Sequence, residues 1–197
     1  MHPHSYRFCP HCGHSLKTER LGGQPRERCE TCGFVHWGDF TVGVGGVLWH
    51  QGKILLVQRA QNPGQGMWTI PGGYVEQGER IEDAIIREIR EETHLETKAL
   101  SLIGVRDRPG EDGRPHDLYV IFLMCYLSGE PTSDENEIAD LGFFTPDETR
   151  NMPIASLTLS MLEVAAAPLP GFEPVSGVKM IGNLSQLYRC LSWDKLG

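Results

Sequence analysis

A chain of 197 residues with 40% hydrophobic content is long enough for one main domain and a small accessory one around a real core. Its net charge of −8 argues against a nonspecific nucleic-acid binder, so an anionic ligand must be drawn in by metal and local arginines and not by the overall field. No apolar run approaches the roughly 20 residues of a membrane span, and the polar start MHPHSYRF is not a secretory signal; a soluble, cytoplasmic protein is the expectation.

The first element is a pair of knuckles, Cys9 to Gly13 (CPHCG) and Cys29 to Gly33 (CETCG), separated by sixteen residues. This spacing falls within the window of four-cysteine zinc ribbons. The glycine after each pair permits the turn that aims backbone amides at thiolate sulfur. Four thiolates around Zn2+ form a closed structural site with no open position for water, so Cys9, Cys12, Cys29 and Cys32 are the zinc candidates. Two disulfides would use the same residues, but a reducing compartment disfavours them. His11 and His14 read as loop residues, and Cys125 and Cys190 as unpaired small hydrophobes.

Strand signals follow. Thr41 to Trp49 is β-branched and glycine-rich, Lys53 to Gln58 is apolar, and His50-Gln51-Gly52 between them reads as a hairpin turn. The run Gly73 to Leu95 then sets a glycine, a loop glutamate and an arginine-led group of glutamates at fixed offsets. Glu82 and Asp83 suit the positive end of a helix dipole. Ile85, Ile86 and Ile89 fall on one side of a 3.6-residue period, whereas Glu88, Glu91 and Glu92 fall within about 100° of one another on another side. Two glutamates about 5 Å apart repel by roughly 3 kcal/mol at an effective dielectric near 20, and no basic residue follows at the i+4 positions that would relieve all three. A divalent cation relieves them directly, and hard oxygen ligands suit Mg2+ or Mn2+, which bridge to substrate phosphates.

Further along, Ala99 to Val105 and Leu118 to Leu127 read as strands, the second too continuously apolar to be half exposed. Leu141 to Thr145 suggests another strand, and Ser156 to Ala167 has helical spacing ending before Pro168. A short helix is expected near Asn183 to Cys190. This order implies mixed α/β layers, divided as 1–38 for the ribbon, 39–167 for the main domain and 168–197 for a tail of unassigned role.

The run from Gly73 resembles the signature of the Nudix hydrolase superfamily, G-x5-E-x7-R-E-U-x-E-E-x-G-U with U aliphatic: Gly73, Glu79, Arg87, Glu88, Ile89, Glu91, Glu92 and Leu95 match. His94 stands where the signature has glycine. In a left-handed helix exit a histidine costs roughly 1 kcal/mol, so a strained exit is expected, not a lost site. The resemblance implies an α/β/α sandwich and a set of roles. Glu88, Glu91 and Glu92 would hold catalytic Mg2+ or Mn2+ with the backbone carbonyl of Gly72, and Arg87 would brace these carboxylates with Glu79 as its partner. Glu137, in SDENEIAD, stands where many relatives carry a base or an extra metal ligand; a solvated loop acid is the other reading.

Arg59 and Arg106 are candidates for phosphate contacts, against an ordinary surface role for each. Tyr74 and Trp68 flank the glycine loop and could stack on a base, although core packing suits Trp68 better. The ribbon and the main domain together resemble the branch containing NADH pyrophosphatases and plant-type FAD pyrophosphatases, from about Cys9 to about Asp147. The S-Q-P-W-P-F-P-Q string of the NADH branch is missing. That places FAD or an ADP-ribose-like dinucleotide ahead of NADH and of related RNA caps as the expected substrate, cleaved by water attack at phosphorus. A homodimer is a further expectation from the resemblance; a membrane or nucleic-acid partner is not expected. The alternative is a regulator that senses ADP-ribose or a nucleotide without hydrolysis. A prenyl diphosphate isomerase would need an acid and a base of its own, which the sequence does not reveal.

Overall fold

The computed structural model describes residues 6–110, 114–133, 137–165, 172–174 and 188–190. These divide into two compact units: Met1–Thr41 with Asp107–Leu118, and Val42–Arg106 with Tyr119–Gly197.

In the first unit, β1 (Lys17–Leu21) and β2 (Gln24–Arg28) form an antiparallel hairpin about Gly22 and Gly23, both at positive φ. Its residues are polar and largely exposed, so the turn and the flanking knuckles define it without an apolar stripe. The tip segment Asp107–Leu118 belongs to the same unit because Thr41 Oγ1 donates to Asp117 Oδ1 at 2.6 Å and the His116 amide donates to the Asp39 carbonyl at 3.1 Å.

The second unit is built on a nine-stranded sheet to which β3 (Phe40–His50) and β4 (Lys53–Arg59) are central. They join through Gln51 and Gly52, at φ 51° and 75°, the positive values that a tight two-residue hairpin requires. Next come β5 (Trp68–Thr69), β6 (Gly72–Tyr74), α1 (Ile81–Thr93), β7 (Glu96–Arg108), β8 (His116–Ser128) and β9 (Ile138–Phe144). After these lie α2 (Pro146–Thr149), α3 (Ser156–Ala165), β10 (Phe172–Pro174) and β11 (Tyr188–Cys190). The main strand order is β11-β10-β7-β8-β3-β4-β5, with β6 paired to β3 and β9 to β4.

The period of two along β3 and β8 sends side chains to opposite faces of the sheet. Val44, Leu48, Val120, Phe122 and Met124 pack with Ala84, Ile85 and Ile89 of α1. Val47, Ile121 and Tyr119 face the other way, in a cluster that includes Leu157, Met161 and Leu162 of α3. A helix on each face makes the α/β/α sandwich. Gly46 lets α1 approach closely, since a Cβ there would lie 2.7 Å from Ile89 Cδ1.

Three expectations are revised. Residues 188–190 are a strand and not the end of a short helix; 183–187, like 166–167 of the expected last helix, lie outside the described residues. Cys125 is half-buried instead of fully buried. Several strands run longer than their apolar runs, as in β7, because sheet pairing carries polar residues along with it. No helix among the described residues is long and apolar enough to cross a membrane.

His94 closes α1 in the left-handed conformation at φ 58°, its amide donating to the Arg90 carbonyl and its Nδ1 lying 3.0 Å from the Thr132 carbonyl. Gly relieves the backbone strain that any Cβ imposes there, whereas Ala keeps it and both lose the ring. His94→Gly should therefore be more stable than His94→Ala by about 1 kcal/mol. Urea unfolding of the two variants checks this; equal stabilities would show that the exit carries no strain.

Candidate metal and phosphate site

Two groups of chemistry-bearing residues stand out, one in each unit. In the first, the amides of Gly13 and Gly33 donate to the carbonyls of Cys9 and Cys29, each glycine at positive φ, so the two knuckles repeat one geometry. The sulfurs of Cys9, Cys12, Cys29 and Cys32 all lie within 4.8 Å of one another, with Sγ–Sγ distances of 3.5 Å for Cys9–Cys32, Cys12–Cys29 and Cys12–Cys32. The cysteines are free, which sets aside the disulfide alternative. The Cys32 backbone amide leads the influences that lower the Cys29 thiol to about 6. Four sulfurs at this spacing fit a tetrahedral zinc. His11 packs its ring against Phe34 at 4.7 Å, and neither it nor His14 belongs to the sulfur group.

In the second unit, β6 pairs antiparallel with β3 in the register Gly45↔Gly72, Val44↔Gly73 and Gly43↔Tyr74, which brings the glycine turn against α1. The Gly72 amide donates to Glu92 Oε2 at 2.9 Å. A Cβ on Gly73 would sit 2.5 Å from the Glu88 carboxylate, so glycine is what allows that carboxylate to lie on the backbone. The arrangement therefore presses two acids of one helix face against two successive glycines.

Arg87 ties the rest together. Its Nε and Nη2 donate to Glu79 Oε1 and Oε2 at 2.8 and 3.1 Å, a two-pronged bond that holds the Glu79 carboxyl below its usual range. Nη1 donates to Glu88 Oε1 and Glu91 Oε2, each at 2.9 Å, and Nη2 also reaches the Tyr74 carbonyl. The relief that the sequence does not offer on the C-terminal side of the glutamates comes from this residue, four positions before Glu91. Glu79 itself is set by a tight loop in which the Glu76 amide donates to Glu79 Oε2 at 3.0 Å.

Burial dominates the electrostatics. It raises the Glu88 carboxyl above its ordinary value against the opposing pull of Arg87. It drives Glu92 to about 8, with the negative charges of Glu88 and Glu137 adding to the shift. Glu137 is exposed, its carbonyl accepts the Ala60 amide at 2.9 Å, and its charge acts on both glutamates. The charge of Arg59 opposes the shift of Glu92, and its Nε donates to the Pro63 carbonyl at 2.8 Å. Arg106 lies over the ring of Tyr119, with its guanidinium carbon 5.0 Å from the ring centre.

The structure thus gathers Glu79, Arg87, Glu88, Glu91, Glu92 and Gly72 directly and brings Glu137 and Arg59 within electrostatic reach. Tyr74 contributes its carbonyl while its side chain is 63% exposed. Trp68 is buried and edge-on to Phe144, a core residue. Tyr119 was not a sequence candidate; the glycines of TVGVGGV are the signal that could have found it.

Glu88 accepts through Oε1, Glu91 through Oε2 and Glu92 through Oε2. Carboxylate oxygens are the donor type of a hard divalent cation, but among the described residues it is the four cysteine sulfurs whose ligand atoms converge within 4.8 Å of one another.

Comparison with known proteins agrees with this geometry. The NUDIX domain family matches residues 39–163, and the Nudix N-terminal zinc-ribbon family matches residues 7–37. An ADP-ribose pyrophosphatase of Methanocaldococcus jannaschii is 44% identical over 45% of this chain and 53% of its own. The NAD-capped RNA hydrolase NudC of Pseudomonas aeruginosa is 32% identical over 84% of this chain and 60% of its own. The chain therefore spans only a little over half the length of these curated relatives. Among solved structures, a NUDIX hydrolase from Nitrosomonas europaea aligns with a TM-score of 0.69 and 25% identity, covering 80% of this chain and 89% of that one.

Without a cation, Glu92 keeps its proton up to about pH 8 in the folded chain but only to about 4.5 when unfolded. The folded state then binds more protons across that window, so the contribution of Glu92 to stability falls as pH rises through it. Without added divalent cations, Glu92→Gln should be more stable than wild type at pH 8.5, by on the order of 2 kcal/mol, and should lose that advantage near pH 4.5. Urea titrations at the two pH values test this, and an advantage independent of pH would contradict it.

Proposed function

This chain belongs to the NUDIX family and carries that family's N-terminal zinc ribbon, and from that premise we propose that it is a metal-dependent pyrophosphohydrolase. Its substrate is a nucleoside diphosphate derivative whose diphosphate is opened by water attack at phosphorus. The observation that carries this reading is the meeting of one helix face with a glycine turn: Glu92 and Glu88 lie against Gly72 and Gly73, and Arg87 braces Glu88 and Glu91.

Glu88, Glu91 and Glu92 would hold Mg2+ or Mn2+, with the Gly72 carbonyl as a further donor. When bound there, such a cation neutralises phosphate charge and lowers the pKa of water. The chain's own residues do the rest. Arg87 and Glu79 fix the orientation of Glu88 and Glu91, while the Gly72 amide fixes Glu92. Glu137, exposed beside the buried acids, accepts the proton of the attacking water. Arg59 and Arg106 offer positive charge to the phosphates, and the exposed ring of Tyr74 offers a stacking surface for a base. The ribbon carries Zn2+ as a structural ion, which presumes a reducing, cytoplasmic setting that keeps the thiols available.

ADP-ribose and FAD are the first substrates in this reading, the former because the Methanocaldococcus jannaschii relative is named for it. The relatives named NAD-capped RNA hydrolases bring NAD-type diphosphates into the same class, although the string expected of an NADH enzyme is missing from this chain.

The test is incubation with Mg2+ or Mn2+ and ADP-ribose, FAD, NADH, a diadenosine polyphosphate or a nucleoside triphosphate, with products identified. ADP-ribose should give AMP and ribose 5-phosphate, with 18O from labelled water in one of the two phosphates. Glu88→Gln should fold normally and lose at least about 100-fold in turnover. Stoichiometric binding without product over hours would instead support a sensor. Chelation of zinc should unfold the ribbon while metal-dependent turnover persists; complete loss with residues 42–106 still folded would assign zinc a part in the chemistry.

A further inference from the structure

Along β3, Gly43 and Gly45 sit two residues apart and therefore on one face, and Gly45 pairs across to Gly72. Tyr119 fills the space over Gly43 and Gly45, while at Gly72 the Val44 carbonyl excludes a side chain first. A Cβ on Gly43 would meet Tyr119 Cδ2 at 2.7 Å, one on Gly45 would meet the Tyr119 hydroxyl at 2.6 Å, and one on Gly72 would meet that hydroxyl at 2.9 Å. Tyr119 projects from β8, the neighbour of β3, so its ring lies flat over the bare backbone of β3 and its hydroxyl reaches the edge of the glycine turn. On the far side, Arg106 of β7 stacks on the ring. Arg106, Tyr119, Gly45 and Gly72 thus form a row across four adjacent strands, which ends where the Gly72 amide holds Glu92.

Packing alone does not explain this row. Phenylalanine would fill the slot equally well, whereas Tyr119 is half-buried and carries a hydroxyl to the edge of the glycine turn, where it can meet a partner. The charges of Glu92, Arg106, Glu88 and Arg59 all act on this hydroxyl. A phenol hydroxyl is an O–H donor over the whole physiological range. Glu92 Oε2 accepts from the Gly72 amide at the same turn. What remains is a donor at the rim of an acid-lined, cation-binding site, held in place by a stacked arginine and waiting for an acceptor with negative charge.

We propose that the Tyr119 hydroxyl contacts the substrate, donating a hydrogen bond to a non-bridging oxygen of the diphosphate, with Gly43, Gly45 and Arg106 serving to position the ring. This deepens the pyrophosphohydrolase reading and rests on it.

The experiment compares wild type with Tyr119→Phe in the full chain, which deletes the hydroxyl and keeps the ring in its slot. With Mg2+, kcat/KM for ADP-ribose should fall about tenfold or more, as expected for a lost hydrogen bond to a charged group. Affinity for α,β-methylene ADP should fall by a similar factor. The melting temperature and the Mg2+ concentration for half-maximal activation should not change. Unchanged turnover and unchanged α,β-methylene ADP affinity would overturn the proposal. So would a weakened Mg2+ response with normal nucleotide affinity, since the hydroxyl would then be acting on Glu92. If wild type hydrolyses no diphosphate, the pyrophosphohydrolase reading fails by itself, and the binding comparison still decides the role of Tyr119. If wild type also fails to bind α,β-methylene ADP, both fall together.

Discussion

One guanidinium carries the architecture of the acidic site. Arg87 bonds to both oxygens of Glu79, to Glu88, to Glu91 and to the Tyr74 carbonyl, so it links the loop before α1, the helix face and the glycine turn through a single planar group. Lysine would not substitute, because the contacts use three separate nitrogens in a fixed fork. With acids on one side and a backbone carbonyl on the other, this residue opposes the effect of burial on Glu88, whereas Glu92 is held by the Gly72 amide. Burial raises both carboxyls above their ordinary values.

Glycine is the second half of that design, and it acts by subtraction. Gly73 leaves room for the Glu88 carboxylate, Gly46 for the close approach of α1, Gly43 and Gly45 for Tyr119, and Gly72 for the backbone of β3. The two faces of β3 are thus stripped for different purposes: one lets the helix that bears the acids settle onto the sheet, and the other lets a tyrosine cross beneath the turn. In a strand, missing side chains weaken intrinsic propensity. Here the loss is offset by pairing on both sides of β3 and by the packed clusters above and below it.

This explains which parts of the molecule are legible in the sequence. The acids, their arginine and the glycine turn lie within one short stretch and follow helix periodicity, so their grouping is readable from spacing, and the cysteine knuckles are readable for the same reason. The main strands were recognisable from apolar runs, while their ends were not, because pairing extends β7 and β8 through polar residues. The β1–β2 hairpin left no apolar pattern; only Gly22-Gly23 marks it. Tyr119 was hidden because its meaning depends on strands that are distant in sequence. Gly45 and Tyr119 are neighbours only once β3 lies beside β8, and a tyrosine inside LYVIFLMCYL looks like any core aromatic until the sheet is assembled.

The sulfur group and the carboxylate group differ in what each could offer a metal, and the contrast bears on where reactivity can reside. The four sulfurs lie within 4.8 Å of one another and complete a tetrahedron by themselves, so an ion held there has no position left for water or substrate. The glutamates are not drawn so tightly together. Arg87 and the Gly72 amide engage one oxygen of each, so under the proposed reading a cation held by them would complete its shell elsewhere. An incomplete shell of hard oxygens is the one that recruits phosphate, because a small dication retains waters that phosphate oxygens can replace. Under the proposed reading, chemistry on a diphosphate sits with the carboxylates, while the sulfur group orders a hairpin whose own residues bury too little apolar surface to hold it.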